Sequence, residues 1–375
     1  MRKDKSRKVG GKDKNMASDP AASIHKRGGH VAVSWQDLII VWGGLQWRYD
    51  KDPSWVLIHF NGEWISKATV GEPPQYSFKF ATAQVLDGQM YIMFGTHEPT
   101  NIIHSLDLNF WEWKRHHPEG NPPTTACKLS SWVHGKRIYC FGGMSHEGIP
   151  TNEFFCYNVA KNSWEWPLTN GNTVPSPRAR HTTVAFEEHV LLFGGETNSH
   201  KFNDLHILEM NSMEWRMVHG FMGGWAVPEP RSGHTMTKIS STSALIYGGG
   251  YFWEGNQFAW ILDVQKAREG VTDPLSLWTD ISRQLEKTSH NSTKSTRFYK
   301  RSAAPDTLKR EDHAAVIEPI SKRLWLLGNY QSGSPFQQEV KTIALTLGSP
   351  EPLKVLALDQ TIRCHGPKDK LVTNA

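Results

Sequence analysis

The chain has 375 residues, a net charge of +5 and sixteen Trp. The charge is uneven: Arg2, Lys3, Lys5, Arg7, Lys8, Lys12 and Lys14 face only Asp4 and Asp13, and the remainder is near neutral, which argues against a nucleic-acid surface. No run of about eighteen apolar residues occurs, so no membrane helix is expected, and the basic start lacks the apolar stretch of a secretory signal.

Residues 1–24 are polar and basic and are expected to form a disordered tail, read either as solvated or as a nuclear-import address. From there the chain repeats a pattern to about residue 362. A continuously apolar run ends in a glycine or glycine pair, and a Trp follows on a later strand. The apolar runs are Leu38–Trp42, Met90–Phe94, Ile138–Phe141, Val190–Phe193, Leu245–Tyr247 and Leu324–Leu327. The first glycines fall at 43, 95, 142, 194, 248 and 328, with Thr96 and Asn329 standing in the second glycine position of repeats two and six. The last interval is long because residues 283–309, rich in Ser, Thr, Lys and Arg, form an insertion expected to be a mobile loop. Residues 363–375 remain as a C-terminal tail.

An unbroken apolar run marks a strand covered on both faces, and glycines at its end allow close backbone approach. Trp on the last strand fills the space beside the neighbouring unit. Six such units of about fifty residues predict an all-β, six-bladed β-propeller. Four units start Arg-x-x-His: Arg27/His30, Arg178/His181, Arg231/His234 and Arg310/His313. Strand alternation puts the two on opposite faces. The His is expected to be structural, bonded to a neighbouring blade's backbone. The Arg is expected to reach the channel mouth, either as an anion-binding ring or as a set of inter-blade ion pairs.

Four Cys (Cys127, Cys140, Cys156, Cys364) show no CxxC pairing, which points to a reducing compartment, cytosol or nucleus. Eighteen His show no metal-ligand spacing, and no nucleophile elbow or phosphate loop occurs, so neither catalysis nor a cofactor is expected. Binding at one end of the channel is the natural use of such a ring. The residues expected there are Arg48, Tyr49, Arg178, Glu196, Lys201, Arg231, Ser232, Tyr251, Trp253, Arg310 and Tyr330, aromatic and cationic groups typical of protein-recognition hot spots. For the aromatics the alternative is that they fold inward as core.

Gly29-His30 with Trp42-Gly43-Gly44, Pro175–Ala179, and Asn203–His206 with Glu214-Trp215 resemble the kelch repeats of the small kelch-domain-containing substrate receptors of cullin-2 ubiquitin ligases. The resemblance implies a peptide or C-terminal degron bound at the channel mouth, and elongin and cullin-2 contacts through residues 356–364. The alternative is that Lys354 to Ile362 forms the outer strand of the last blade, followed by a frayed tail. In the family a cation directly after the repeat-four glycine pair, and another five residues on, hold the degron carboxylate; here these are Glu196 and Lys201. Glu196 reverses the charge and is expected to repel a carboxylate. The family's Ser-Trp pair is Ser232-Gly233, and the long blade-three insertion is replaced by the short link Met144–Asn152. The reading is therefore a ligase substrate receptor of altered specificity. The alternatives are a kelch scaffold without a ligase link and, more remotely, a propeller metalloenzyme, as some other kelch propellers are.

Overall fold

A computed structural model describes residues 28–44, 54–75, 78–95, 101–170, 173–220, 227–250, 258–282, 285, 311–328, 343–346 and 355–357. They form six sheets in chain order, antiparallel throughout except for one short parallel pairing at the edge of blade two. Blade one is Val31–Trp35, Leu38–Trp42, Trp55–Phe60 and Glu63–Ala68; blade four is Thr182–Phe186, His189–Phe193, Leu205–Glu209 and Glu214–His219. The first strands of the other blades are Thr82–Leu86, Ser130–His134, Ser232–Lys238 and Ala314–Ile317. Each first strand neighbours the first strand of the next blade, and the sixth returns to the first, so the ring is closed. Blade six is completed by Arg323–Leu327, Ile343–Thr346 and Val355–Ala357. Val355–Ala357 is thus the outer strand of the last blade, as the alternative reading of that segment had it; residues 358–364 lie outside the described residues, as do the tail, the insertion from 286 to 309 and the last thirteen residues.

The core lies in the seams. In His189–Phe193, Val190 and Leu192 pack toward blade three with Tyr139 and Phe141, while Leu191 and Phe193 pack toward blade five with Ile246 and Trp260. Alternation along a strand makes both faces apolar at once, which is why the second strand of every repeat reads as an unbroken apolar run. The outer-strand Trp of one blade meets an aromatic of the preceding blade: Trp113 with Trp42 at 5.7 Å, Trp164 with Phe94 at 5.8 Å, Trp215 with Phe141 at 5.2 Å and Trp278 with Phe193 at 5.1 Å between centroids. Trp64 against Trp325, 6.1 Å, closes the ring between blades one and six.

Exit segments cover the sheet edges. Val70-Gly71 pairs in parallel with Glu112-Trp113 of the next blade, and Glu119 and Asn170 make the same kind of bridge to Ser163 and Glu214. Two short helices, α1 (Val264–Arg268) and α2 (Pro274–Leu277), sit between the last strands of blade five. Asp263 and Asp273 cap them by accepting from the backbone N–H groups of Lys266 and Leu275.

The repeat alignment needs one correction. Phe94, not Gly95, follows the second strand of blade two, with φ 62°, and Gly95 takes the second glycine place that the sequence reading gave to Thr96. A Cβ on Gly95 would lie 2.6 Å from the Ala81 backbone, just as one on Gly195 would lie 2.7 Å from His181 Cβ. At the first place, a Cβ on Gly142 or Gly194 would meet the imidazole of the next blade's His181 or His234 at 2.8 and 2.9 Å. Blade three has Leu129 where those blades have His, and Phe94 fills the space, packing with Leu129 and Phe155.

Candidate binding face at the channel mouth

The residue just before each blade's His position faces the propeller axis. These six residues are Gly29, Phe80, Lys128, Arg180, Gly233 and Asp312, all with left-handed φ between 52° and 67°. Their backbones close a circle: each donates its N–H to the carbonyl of the residue one blade back, at 2.7 to 3.1 Å, with Gly29 N–H donating to Asp312. Left-handed φ is strained for four of the six, and the ring of hydrogen bonds holds them there. The ring displays four side chains at one end of the channel.

Arg180 dominates that end. It donates from Nε to Asp312 Oδ1 at 3.0 Å, from Nη1 to Glu196 Oε1 at 3.0 Å and from Nη2 to Glu311. Burial works against its charge, but Asp312, Glu311 and Glu196 outweigh burial and hold the guanidinium above its ordinary pKa. Glu196 also accepts from Ser232 Oγ at 2.6 Å and lies 3.9 Å from Lys201 Nζ. Burial would raise its pKa, but Ser232 and Arg180 bring it below the usual glutamate value. Lys201 donates to the Gly250 carbonyl. Gly233 fits this cluster closely: a Cβ there would sit 2.6 Å from both Arg180 Nη2 and Asp312 Oδ1. A tryptophan at that position is incompatible with the cluster. Lys128 lies over the Phe80 ring, 5.3 Å from its centroid, and donates to Met144 Sδ at 3.9 Å; its charge acts on Asp312 without a direct ion pair among the described residues.

Arg178 and Arg231 do not reach the mouth. Arg178 is 1% exposed and clamps its own blade: its two terminal nitrogens meet Asp204 at 2.6 and 2.8 Å, and Nη1 also donates to the Gly194 carbonyl. The Phe202 ring covers its guanidinium at 4.1 Å. Arg231 repeats the clamp on carbonyls, from Nη1 to Gly248 and from Nε to Glu229, and burial lowers it to about 10. Among the described residues, both arginines bond within their own blades. A buried guanidinium must satisfy its donors nearby, and the carbonyls at the glycine turn supply the acceptors.

Three of the histidines bridge blades through hydroxyls, and His181 is held as well by the backbone of Phe141 in blade three, as expected. His181 Nε2 shares a hydrogen bond with Ser130 Oγ at 2.8 Å, His234 with Thr182 at 2.8 Å and His313 with Thr235 at 3.0 Å. Burial, then Arg178, pushes His181 down to about 3. Of the remaining expected site residues, Glu196, Lys201 and Ser232 come together at Arg180, whereas Arg48, Tyr49, Tyr251, Trp253, Arg310 and Tyr330 lie outside the described residues. Lys128, Arg180, Glu311 and Asp312 escaped the sequence reading. No group of three or more His, Cys, Asp or Glu that could hold a metal ion occurs among the described residues.

Residues 29–250, more than half of the chain, match the KLHDC2/KLHL20/DRC7 Kelch-repeats domain. The chain belongs to the kelch-repeat family. This kelch chain is 28% identical over 261 residues to Kelch domain-containing protein 2 of Bos taurus, and 27% over 259 residues to Kelch domain-containing protein 1 of Homo sapiens. Each match covers 60% of this chain and 63% of the relative. Host cell factor 2 of Homo sapiens is 29% identical over 250 residues, 60% of this chain and 30% of that protein. The kelch propeller is a protein-interaction fold.

Proposed function

We propose that this kelch propeller is the substrate-recognition subunit of a cullin-RING ubiquitin ligase, and that its mouth binds an internal segment of a partner protein rather than a chain-terminal carboxylate. One observation carries the specificity: the guanidinium at the axis is already bonded to three carboxylates of its own chain. An incoming carboxylate would have to displace a buried, charge-assisted pair and then face the carboxylate it displaced. Lys128 over Phe80 offers the partner a cation and an aromatic face beside that neutralised centre. The similarity to Kelch domain-containing proteins 1 and 2 supports the receptor reading, with elongin and cullin-2 as proposed partners. We propose a cytosolic or nuclear location, which the free thiols of Cys127, Cys140 and Cys156 among the described residues support, and propose no catalysis.

A second reading, an interaction scaffold without a ligase link, draws on the match to host cell factor 2 at comparable identity. Affinity isolation of the full chain under native conditions separates the two. Elongin and cullin-2 in stoichiometric recovery support the receptor, and their absence from a saturating preparation removes it.

A further inference from the structure

The second strand of blade three, Arg137–Ser145, runs on past its glycine pair Gly142-Gly143 and brings Met144 to the channel mouth. Met144 pairs there with Cys127 on one side and Pro150 on the other. Its Sδ lies 3.9 Å from the Nζ of Lys128, the axis-facing residue of the same blade. Met144 is half-buried, whereas Met90, Met93, Met210 and Met236 are buried in the core.

These neighbours serve Lys128 poorly. An ammonium carries three donors, and a thioether sulfur is a weak acceptor. The other group beside it is the Phe80 ring, 5.3 Å away at the centroid, while Asp312 acts on it without a direct ion pair. Arg180 in the next blade, by contrast, bonds Glu196, Glu311 and Asp312 directly. The cation that Lys128 offers a partner thus sits beside a sulfur whose strength as an acceptor can change. Oxidation turns a soft thioether into a polar sulfoxide, and an oxygen accepting from an ammonium makes a short, charge-assisted bond that sulfur does not.

We propose that Met144 is a redox modification site, whose sulfoxide oxygen accepts from Lys128 Nζ and withdraws that cation from the mouth. The oxidant is a peroxide. The sulfur lone pair attacks one peroxide oxygen, and the S–O bond forms as the O–O bond breaks. The departing hydroxide takes the proton of the transferred oxygen and leaves as water. Sulfur loses two electrons and the peroxide gains them. The adjacent thiol is less suited to this role, because burial holds Cys127 above its ordinary pKa and in the unreactive protonated form. A weakened capture of partner would rest on the function proposed above; the oxidation and the masking of Lys128 do not.

The test exposes the folded full chain to hydrogen peroxide at neutral pH, labels it briefly with an amine-reactive acetyl ester, and maps both modifications by mass spectrometry. Met217, 45% exposed on the outer strand of blade four, reports that the dose reaches accessible methionines. An added oxygen is expected on Met144, and labelling of Lys128 is expected to slow about tenfold, the effect of one new hydrogen bond to a charged group. Lys136, paired with Asp87 at the turn between the first two strands of blade three, should label as before. Met144→Leu, a swap of similar volume, should keep the fast labelling of Lys128 after peroxide. The proposal is overturned if Met144 stays a thioether at the dose that converts Met217, if Lys128 labels unchanged once Met144 is oxidised, or if the slowing persists in Met144→Leu.

Discussion

Arg180 of blade four reaches past blade five to donate its Nε–H to Asp312 of blade six, 3.0 Å away at the propeller axis. The pair joins blades that share no sheet. Replacing Arg180 with Leu leaves Asp312, Glu311 and Glu196 with their principal cation gone, and the loss of one partner from a buried pair costs about 3–5 kcal/mol. Urea unfolding of the variant is expected to show that loss. Lys201→Ala, which removes a hydrogen bond to the Gly250 carbonyl and a looser 3.9 Å pair with Glu196, is expected to cost about 1 kcal/mol. Equal costs for the two would mean that the axis cluster is not a structural centre.

Stability and binding separate by position. Arg178→Ala removes the cation from the buried Asp204 of blade four, leaving it only His206 at 2.9 Å, and is expected to lose about 3–5 kcal/mol. Arg231→Ala leaves carbonyls at a glycine turn without a donor and is expected to lose about 1–3 kcal/mol. Lys128→Ala, at a half-buried residue with no direct ion pair among the described residues, is expected to change stability by about 0.5 kcal/mol or less while weakening partner binding. Differential scanning calorimetry beside a partner-capture assay distinguishes the two classes.

Phe94 and Leu129 are a matched exception to the Gly–His contact of the neighbouring seams. Phe94→Gly empties an aromatic site and is expected to cost about 3–5 kcal/mol. Leu129→His alone crowds Phe94. In a double-mutant cycle the two changes together are expected to recover about 0.5–3 kcal/mol relative to their sum, and strict additivity would show that they do not share one space.

Acid should unfold the ring through its histidines. His181 is held at about 3 and His104 at about 4, and His234 lies well below its ordinary value, each chiefly by burial. A folded-state pKa below the unfolded value means that the unfolded chain binds more protons as pH falls beneath about 6.5. The stability these residues contribute is complete above that pH and declines toward the folded values of about 3 and 4. Urea midpoints measured from pH 7 to pH 4 should fall steadily, and His181→Asn should flatten the slope. A flat wild-type profile would contradict the assignment.

The fold was legible because its signals are periodic. Runs such as Val190–Phe193 are apolar on both faces, and Trp64, Trp113, Trp164 and Trp215 recur at the seams they fill. The mouth was less legible. Arg178 looks exposed in the sequence because it is charged, yet Asp204, twenty-six residues on, folds back to take its charge. Arg180 looks incidental because no motif marks the residue before the histidine. A hint was present: Gly29 and Gly233 occupy that position in blades one and five, and a glycine recurring there signals left-handed backbone. No local pattern announces that Glu196, Glu311 and Asp312 converge on one guanidinium, since two of them lie over a hundred residues from Arg180.

The most direct measurement compares a pooled peptide library with free C-terminal carboxylates against the same library amidated, each selected on the immobilised full chain. With Arg180 occupied by Glu196, Glu311 and Asp312, enrichment should be the same for both pools and should fall in Lys128→Ala. Enrichment that disappears on amidation would show that the mouth captures a chain end, and would contradict the account.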